Sequence, residues 1–237
     1  MSEIPQCARC PGVFCYPNIA ADQNPNLDDA PSFCPTRLRT DIIEASLRHY
    51  EEENDIREFA RLASVQEFEC YEHTPAGIRT RIPRIEETIQ FARKNGYRKL
   101  GLAFCSGLLN EARMVVDILE RNGFEVASVC CKVGAVPKER IGIKPEEKIS
   151  GPDLYESMCN PITQAEILNR EVVDFAILLG LCVGHDSLFI KYCQSPMTVL
   201  AVKDRVTAHN PLAAVYLSRS PYYGRLRRRT ETGQTSR

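Results

Sequence analysis

From Pro83 onward, short apolar runs alternate with longer stretches that carry apolar residues on one helical face, and this alternation restricts the chain more than any other feature. Pro83 suits the first turn of a helix, Ile85, Ile89 and Ala92 mark its apolar face, and Asn95-Gly96 ends it. Residues 99–104 (KLGLAF) then read as a buried strand, 108–121 as a helix closed by Asn122-Gly123, and 124–131 as a second strand. A third strand is expected over 172–179, a short helix over 186–192, a fourth strand over 197–202 and a last helix over 211–217. Asn160, with Pro161 at the first helical position, opens the helix that leads into the third strand. Strands separated by helices predict a mostly parallel sheet of about four strands with both faces covered: an open, doubly wound α/β fold of the Rossmann or flavodoxin-like kind.

The region before it is different. Residues 1–36 hold six prolines and four cysteines with scattered apolar residues, a composition that buries too little surface to order itself. Two helices are expected next, one over 40–50 with Ile42, Ile43, Leu47 and Tyr50 on one face, and one over 55–72. The organisation expected is therefore a cysteine-rich metal-binding arm at 1–40, a helical lead-in and α/β domain at 41–223, and a disordered basic tail at 224–237.

The chain has 237 residues, a formal net charge of −1 and eleven cysteines. A balanced charge gives the body no polyanionic partner, and the short basic tail (Arg225, Arg227, Arg228, Arg229) reads as a solvated end, so nucleic acid is not expected. The longest apolar run, 175–184, is half the length of a membrane span. No basic-then-apolar leader opens the sequence, which reads as cytoplasmic. In a reducing compartment many cysteines point to metal binding or redox chemistry rather than disulfides.

Two groups of cysteines stand out. Cys7-x2-Cys10-x4-Cys15, with Cys34 beyond, offers four soft ligands suited to an iron–sulfur cluster or to zinc, and a metal would supply the stabilisation that the proline-rich arm lacks. The second group lies at strand ends, where open α/β sheets bind ligands. Cys105 ends the first strand, Cys130-Cys131 the second and Cys182 the third, and Cys159 precedes a helix start. Cys131 rather than Cys130 is the expected member of its pair, although alternation alone does not decide it. His185 lies three residues after Cys182, a metal-ligand spacing, and also near a helix start, where it has an ordinary structural role. Each of these cysteines taken singly reads equally well as a packed thiol. Lys203, Asp204 and His209 follow the fourth strand toward the same crevice. The loop between the second strand and Asn160 is long for a compact domain and suggests a functional segment. Cys105 at a strand–turn–helix bend, or Cys182, would serve a thiol hydrolase or transferase.

The stretches CARCPGVFC (7–15), GLAFCSGLLNEAR (101–113) and GLCVGHDSLFIKYCQSPMTVLAVKDRVTAHNP (180–211) resemble a family of uncharacterised, cysteine-rich metal-binding proteins of archaea and anaerobic bacteria, the domain of unknown function numbered eighteen forty-seven. The resemblance implies metal ligation by Cys7, Cys10 and Cys15 and a shared site of Cys105, Cys182 and His185. It implies no reaction. The function expected is an iron–sulfur redox protein or enzyme with a second cysteine-lined crevice, working with a redox partner or a small molecule. The alternative is a zinc-stabilised, non-catalytic ligand- or metal-binding module.

Overall fold

The structure, a computed structural model, describes residues 4–12 and 14–227. The chain divides into two compact units, one ending at Glu69 and the other beginning at Cys70.

The first unit opens with a 3-10 turn at Cys7–Arg9 and continues through α1 (Pro35–Leu38), α2 (Thr40–Glu52) and α3 (Asn54–Glu69). Pro35 takes the first position of α1, where its missing N–H costs nothing. Among the described residues of this unit only Ala30, Cys34 and Gln66 are buried. The apolar face expected on α2 is exposed at Ile42, Ile43, Leu47 and Tyr50. The two lead-in helices thus belong to the same unit as the cysteine-rich arm.

The second unit begins with a hairpin, β1 (Tyr71–Thr74) and β2 (Gly77–Thr80), in antiparallel register Tyr71↔Thr80 to Thr74↔Gly77. The sequence reading instead continued the preceding helix to 72. The helix stops earlier because Thr74 closes a turn: its Oγ1 donates to Gly77 O at 2.8 Å and accepts from Ala76 N–H at 3.2 Å. The strands carry no apolar alternation, since β2 is exposed throughout.

Then come α4 (Arg84–Lys94), β3 (Lys99–Phe104), α5 (Leu109–Arg121), β4 (Glu125–Cys130), α6 (Pro161–Arg170), β5 (Phe175–Leu179), α7 (His185–Tyr192), β6 (Met197–Ala201) and α8 (Leu212–Tyr216). β3 to β6 form one four-stranded sheet, order β4-β3-β5-β6, with every pairing parallel. β3 and β5 are central, which is why Leu100 to Phe104 and the whole of β5 are buried while β6 is only half-buried. Each fully buried Leu, Ile or Phe of these strands contributes about 1.5–3 kcal/mol. Gly101 lets β3 approach α6 and the start of β5, since a Cβ there would lie 2.9 Å from Leu168 Cδ1 and 3.0 Å from Val173 Cγ2.

β5 starts at Phe175 rather than 172 because Val172 has a positive φ of 51° and Asp174 is used as a tie. The Asp174 carboxylate accepts from Arg98 N–H at 2.7 Å and Lys99 N–H at 2.9 Å, which joins the starts of β3 and β5. Gly224–Arg227 forms a 3-10 turn, so the expected disordered tail does not begin at 224; the rest of it lies outside the described residues. Among the described residues no helix is long and apolar enough to cross a membrane.

The topology fixes where a ligand would sit. From β3 the chain moves to β4 on one side, then returns through α6 to β5 on the other. The order reverses between β3 and β5, and in open α/β sheets a crevice opens at the carboxyl ends of such strands.

Candidate functional site

Four chain segments meet at that edge. The hydrogen-bond ladder runs past the strand ends, with Cys105 N–H donating to Leu179 O at 3.2 Å and Cys131 N–H to Phe104 O at 2.8 Å. Asn160 N–H donates to Cys131 O at 2.7 Å, and the Asn160 side chain accepts from Thr163 N–H to cap α6. Cys159 is thereby held against the end of β4. Gly180, at φ +68°, turns the chain sharply out of β5 and brings Leu181-Cys182 to the same edge; a Cβ there would lie 2.7 Å from Leu108 Cδ1. His185 opens α7, its N–H donating to Cys182 O at 2.9 Å.

The result is a cavity of about 450 Å³ lined by Cys105, Cys159, Cys182 and His185, with Lys132, Lys203 and Arg205 among its polar wall. Cys131 is buried beneath it, its sulfur accepting from Ser106 N–H at 3.2 Å and standing 3.9 Å from the Cys159 sulfur. Cys130, the other member of that pair, does not line the cavity.

The thiols are not equivalent. A hydrogen bond from Cys131 and the charge of Lys132 outweigh burial and bring the Cys159 thiol down to about 6. Cys105, through its hydrogen bond to Cys131 and its burial, is pushed up to about 12. Cys131 is lowered by Cys105, but Cys159 together with burial leaves it raised. These shifts favour the thiolate at Cys159, the Lys132 end, over Cys105. Cys105, expected as a nucleophile at its bend, thus holds its proton more firmly than Cys159. Arg205 Nη2 donates to the Cys182 sulfur at 3.0 Å. Burial and the charge of Lys132 lower His185, which favours the neutral imidazole, and among the described residues its buried Nδ1 has no hydrogen-bond partner.

Cys7, Cys10, Cys15 and Cys34 line a different cavity, of about 400 Å³, in the first unit. Cys7 and Cys15 are exposed and Cys34 is buried. Cys10 Sγ lies 3.3 Å from Gly12 O, and Cys15 Sγ lies 3.3 Å from Thr36 Oγ1. Burial raises the Cys34 thiol, but hydrogen bonds from Thr36 and Arg37 carry it below its ordinary value.

Among the described residues no three His, Cys, Asp or Glu side chains stand as a group that could hold a metal ion. Both sets of sulfurs surround cavities rather than close on a point. Their donor chemistry, thiols with one neutral imidazole in the second case, is that of a soft metal or a cluster.

Other candidates fall elsewhere. Asp204 accepts from Val206 and Thr207 N–H groups and shapes its own turn. His209 Nδ1 accepts from Asp204 N–H at 3.1 Å. Cys193 sits beside Ser195 Oγ at 3.4 Å, away from the crevice. The long loop after β4 is closed on itself by the antiparallel bridge Pro137↔Ser157, by Lys138–Glu156 at 2.6 Å and by Lys148–Glu139 at 3.0 Å. It contributes Ile141, Ile143, Ile149 and Met158 to the cavity wall.

Gln164 went unnoticed in the sequence. It is fully buried on α6, and its Nε2 donates to Phe104 O at 3.2 Å and Val129 O at 2.7 Å, tying together the strand ends that carry Cys105 and Cys131. A polar residue on the apolar face of a short helix was the available signal. Lys132 and Arg205, the cations nearest Cys159 and Cys182, were also missed as partners.

A family model described as a protein of unknown function, DUF1847, matches residues 34–200. The match spans every crevice cysteine and Cys34, and excludes Cys7, Cys10, Cys15, Lys203 and Arg205. An uncharacterized protein of Methanocaldococcus jannaschii is 41% identical over 178 residues, which is 75% of this chain and 85% of that protein.

Proposed function

The chain belongs to the DUF1847 family, and from that premise we propose that it is a metal-binding redox protein, or an enzyme built on one, of the iron–sulfur class. Its working centre is the strand-end crevice. The observation that carries this reading is the convergence of Cys105, Cys159, Cys182 and His185, from separate segments, on one cavity at the point where the strand order reverses. That order supports reading the second unit as an open, doubly wound sheet of the Rossmann or flavodoxin-like kind.

Cys105, Cys159, Cys182 and His185 would hold the group, with Cys131 as a reserve thiol beneath. A cluster bound there would supply electron transfer through thiolate-ligated iron. Thiols spread around about 450 Å³ suit a cluster better than a single zinc ion, whose sulfur ligands lie about 2.3 Å from the metal. The chain's own residues set the conditions. Lys132 favours the Cys159 thiolate, Arg205 holds the Cys182 sulfur, and burial keeps His185 neutral and able to accept. Cys7, Cys10, Cys15 and Cys34 form a second metal site. The protein works in the cytoplasm with a redox partner or a small molecule.

Protein purified without oxygen is expected to be brown, to contain iron and acid-labile sulfide, and to take up electrons reversibly. A colourless protein with stoichiometric zinc contradicts this.

One observation favours a second reading. Among its described residues the first unit buries only Ala30, Cys34 and Gln66, which suits a structural zinc clip beside a non-catalytic ligand- or metal-binding module. That reading expects no redox-active centre.

A further inference from the structure

The crevice wall carries more cationic side chains than carboxylates. Its wall holds Lys132, Lys138, Lys203 and Arg205 against one carboxylate, Glu156. Glu156 is taken by Lys138 at 2.6 Å. Lys132 Nζ donates to a neutral acceptor, Ser157 O, at 2.6 Å. Lys203 Nζ lies over the Ser106-Gly107 turn, where a Cβ on Gly107 would stand 2.9 Å from it. Among the described residues neither Lys203, Lys132 nor Arg205 pairs with a carboxylate. Cations that line a cavity without a carboxylate partner attract an anion.

The same cavity has aliphatic lining. Ile141 and Ile149 are 58% and 86% exposed, and with Ile143 and Met158 they line the cavity from the loop after β4. An inorganic anion would leave them in water, whereas a ligand with an apolar body would cover them. A cavity of about 450 Å³ suits a small organic molecule.

We infer that the strand-end crevice binds a small organic anion with an apolar body, its charge held by Lys203, Arg205 and Lys132 and its body by Ile141, Ile143 and Ile149. This rests on the reading that the crevice is the working site, and it names the class of substrate that site takes.

Calorimetric titration of the full chain, purified without oxygen, with acetate, hexanoate and hexylammonium tests it. Hexanoate is expected to bind about tenfold or more tighter than acetate, because four added methylenes meet the isoleucines. Hexylammonium is expected not to bind, and added salt is expected to weaken hexanoate. Lys203→Gln combined with Arg205→Gln should weaken hexanoate about fivefold or more. Ile143→Ser with Ile149→Ser should bring hexanoate down toward acetate while leaving acetate unchanged. Melting curves on each variant verify folding. Hexanoate no tighter than acetate, hexylammonium binding equally well, or unchanged affinity in the lysine–arginine variant overturns the inference. Iron, sulfide and zinc are measured on the same samples. Metal-free protein that binds hexanoate overturns the redox reading alone, and metal-loaded protein that ignores it overturns the inference alone.

Discussion

The two cysteine groups are assembled by opposite means. Cys7, Cys10 and Cys15 are neighbours in sequence, in a segment with almost no core, and two of them are exposed. Cys105, Cys131, Cys159 and Cys182 are far apart in sequence and are brought together by a parallel sheet, a helix cap and one left-handed glycine. On the proposed reading, the first arrangement would take its order from a bound metal. The second is fixed by packing before any ligand arrives, which is the condition for a preorganised site.

The largest expected effect follows from that contrast. A strong metal chelator should leave the first unit open to protease within residues 4–38, with cleavage faster by about tenfold or more, because a metal's binding energy there is folding energy. The sheet unit should stay folded and resist the protease, because its packing does not depend on a ligand. Equal loss in both units would break the comparison.

Next is Gln164→Leu. It removes two donors from Phe104 O and Val129 O in the buried interior, and should cost about 2 kcal/mol in urea denaturation while also loosening Cys105 and Cys131. A cost below about 0.5 kcal/mol would mean that the strand ends are held by the ladder alone.

A smaller effect tests the electrostatics of the metal-free crevice. Alkylation mapped by mass spectrometry should show Cys159 ionising near pH 6, with Cys105 unlabelled well above pH 9. Lys132→Met should raise the Cys159 midpoint. Because the folded value of Cys159 lies below its ordinary 9.0, its ionised form favours the fold. That contribution is present above about pH 9 and lost as pH falls through about 6, so stability should rise with pH across this window. Cys105 has the opposite sign, and its contribution is lost as pH climbs from 9.0 through about 12. A midpoint for Cys159 near 9 would show that Cys131 and Lys132 do not act on it.

The smallest effect is in the first unit. His49→Ala removes an exposed pair with Glu53 and should change stability by no more than about 0.5 kcal/mol, read by thermal melting. A larger loss would reveal organisation in α2 that its exposed face does not suggest.

The sheet was legible in the sequence because buried parallel strands read as continuous apolar runs; KLGLAF coincides with β3 residue for residue. The crevice cysteines were legible through a topological rule, since each stands at a strand exit or a helix start. The hairpin was not, because Tyr71–Thr74 and Gly77–Thr80 lack an apolar alternation. Nor were the roles of Lys132 and Arg205, because charged residues in loops look alike until the fold sets one beside a sulfur. The difference between the thiols was hidden for the same reason: cysteines of one type acquire different proton affinities from burial, from Lys132 and from their contacts with one another.

The most direct test of the crevice as the working centre is reversible electron uptake, titrated together with iron content, in anaerobically purified wild type, Cys182→Ala and Cys7→Ala. Loss of electron uptake in Cys182→Ala with retention in Cys7→Ala is the predicted result. Full uptake in Cys182→Ala, or its loss in Cys7→Ala alone, would place the centre in the first unit and contradict the account.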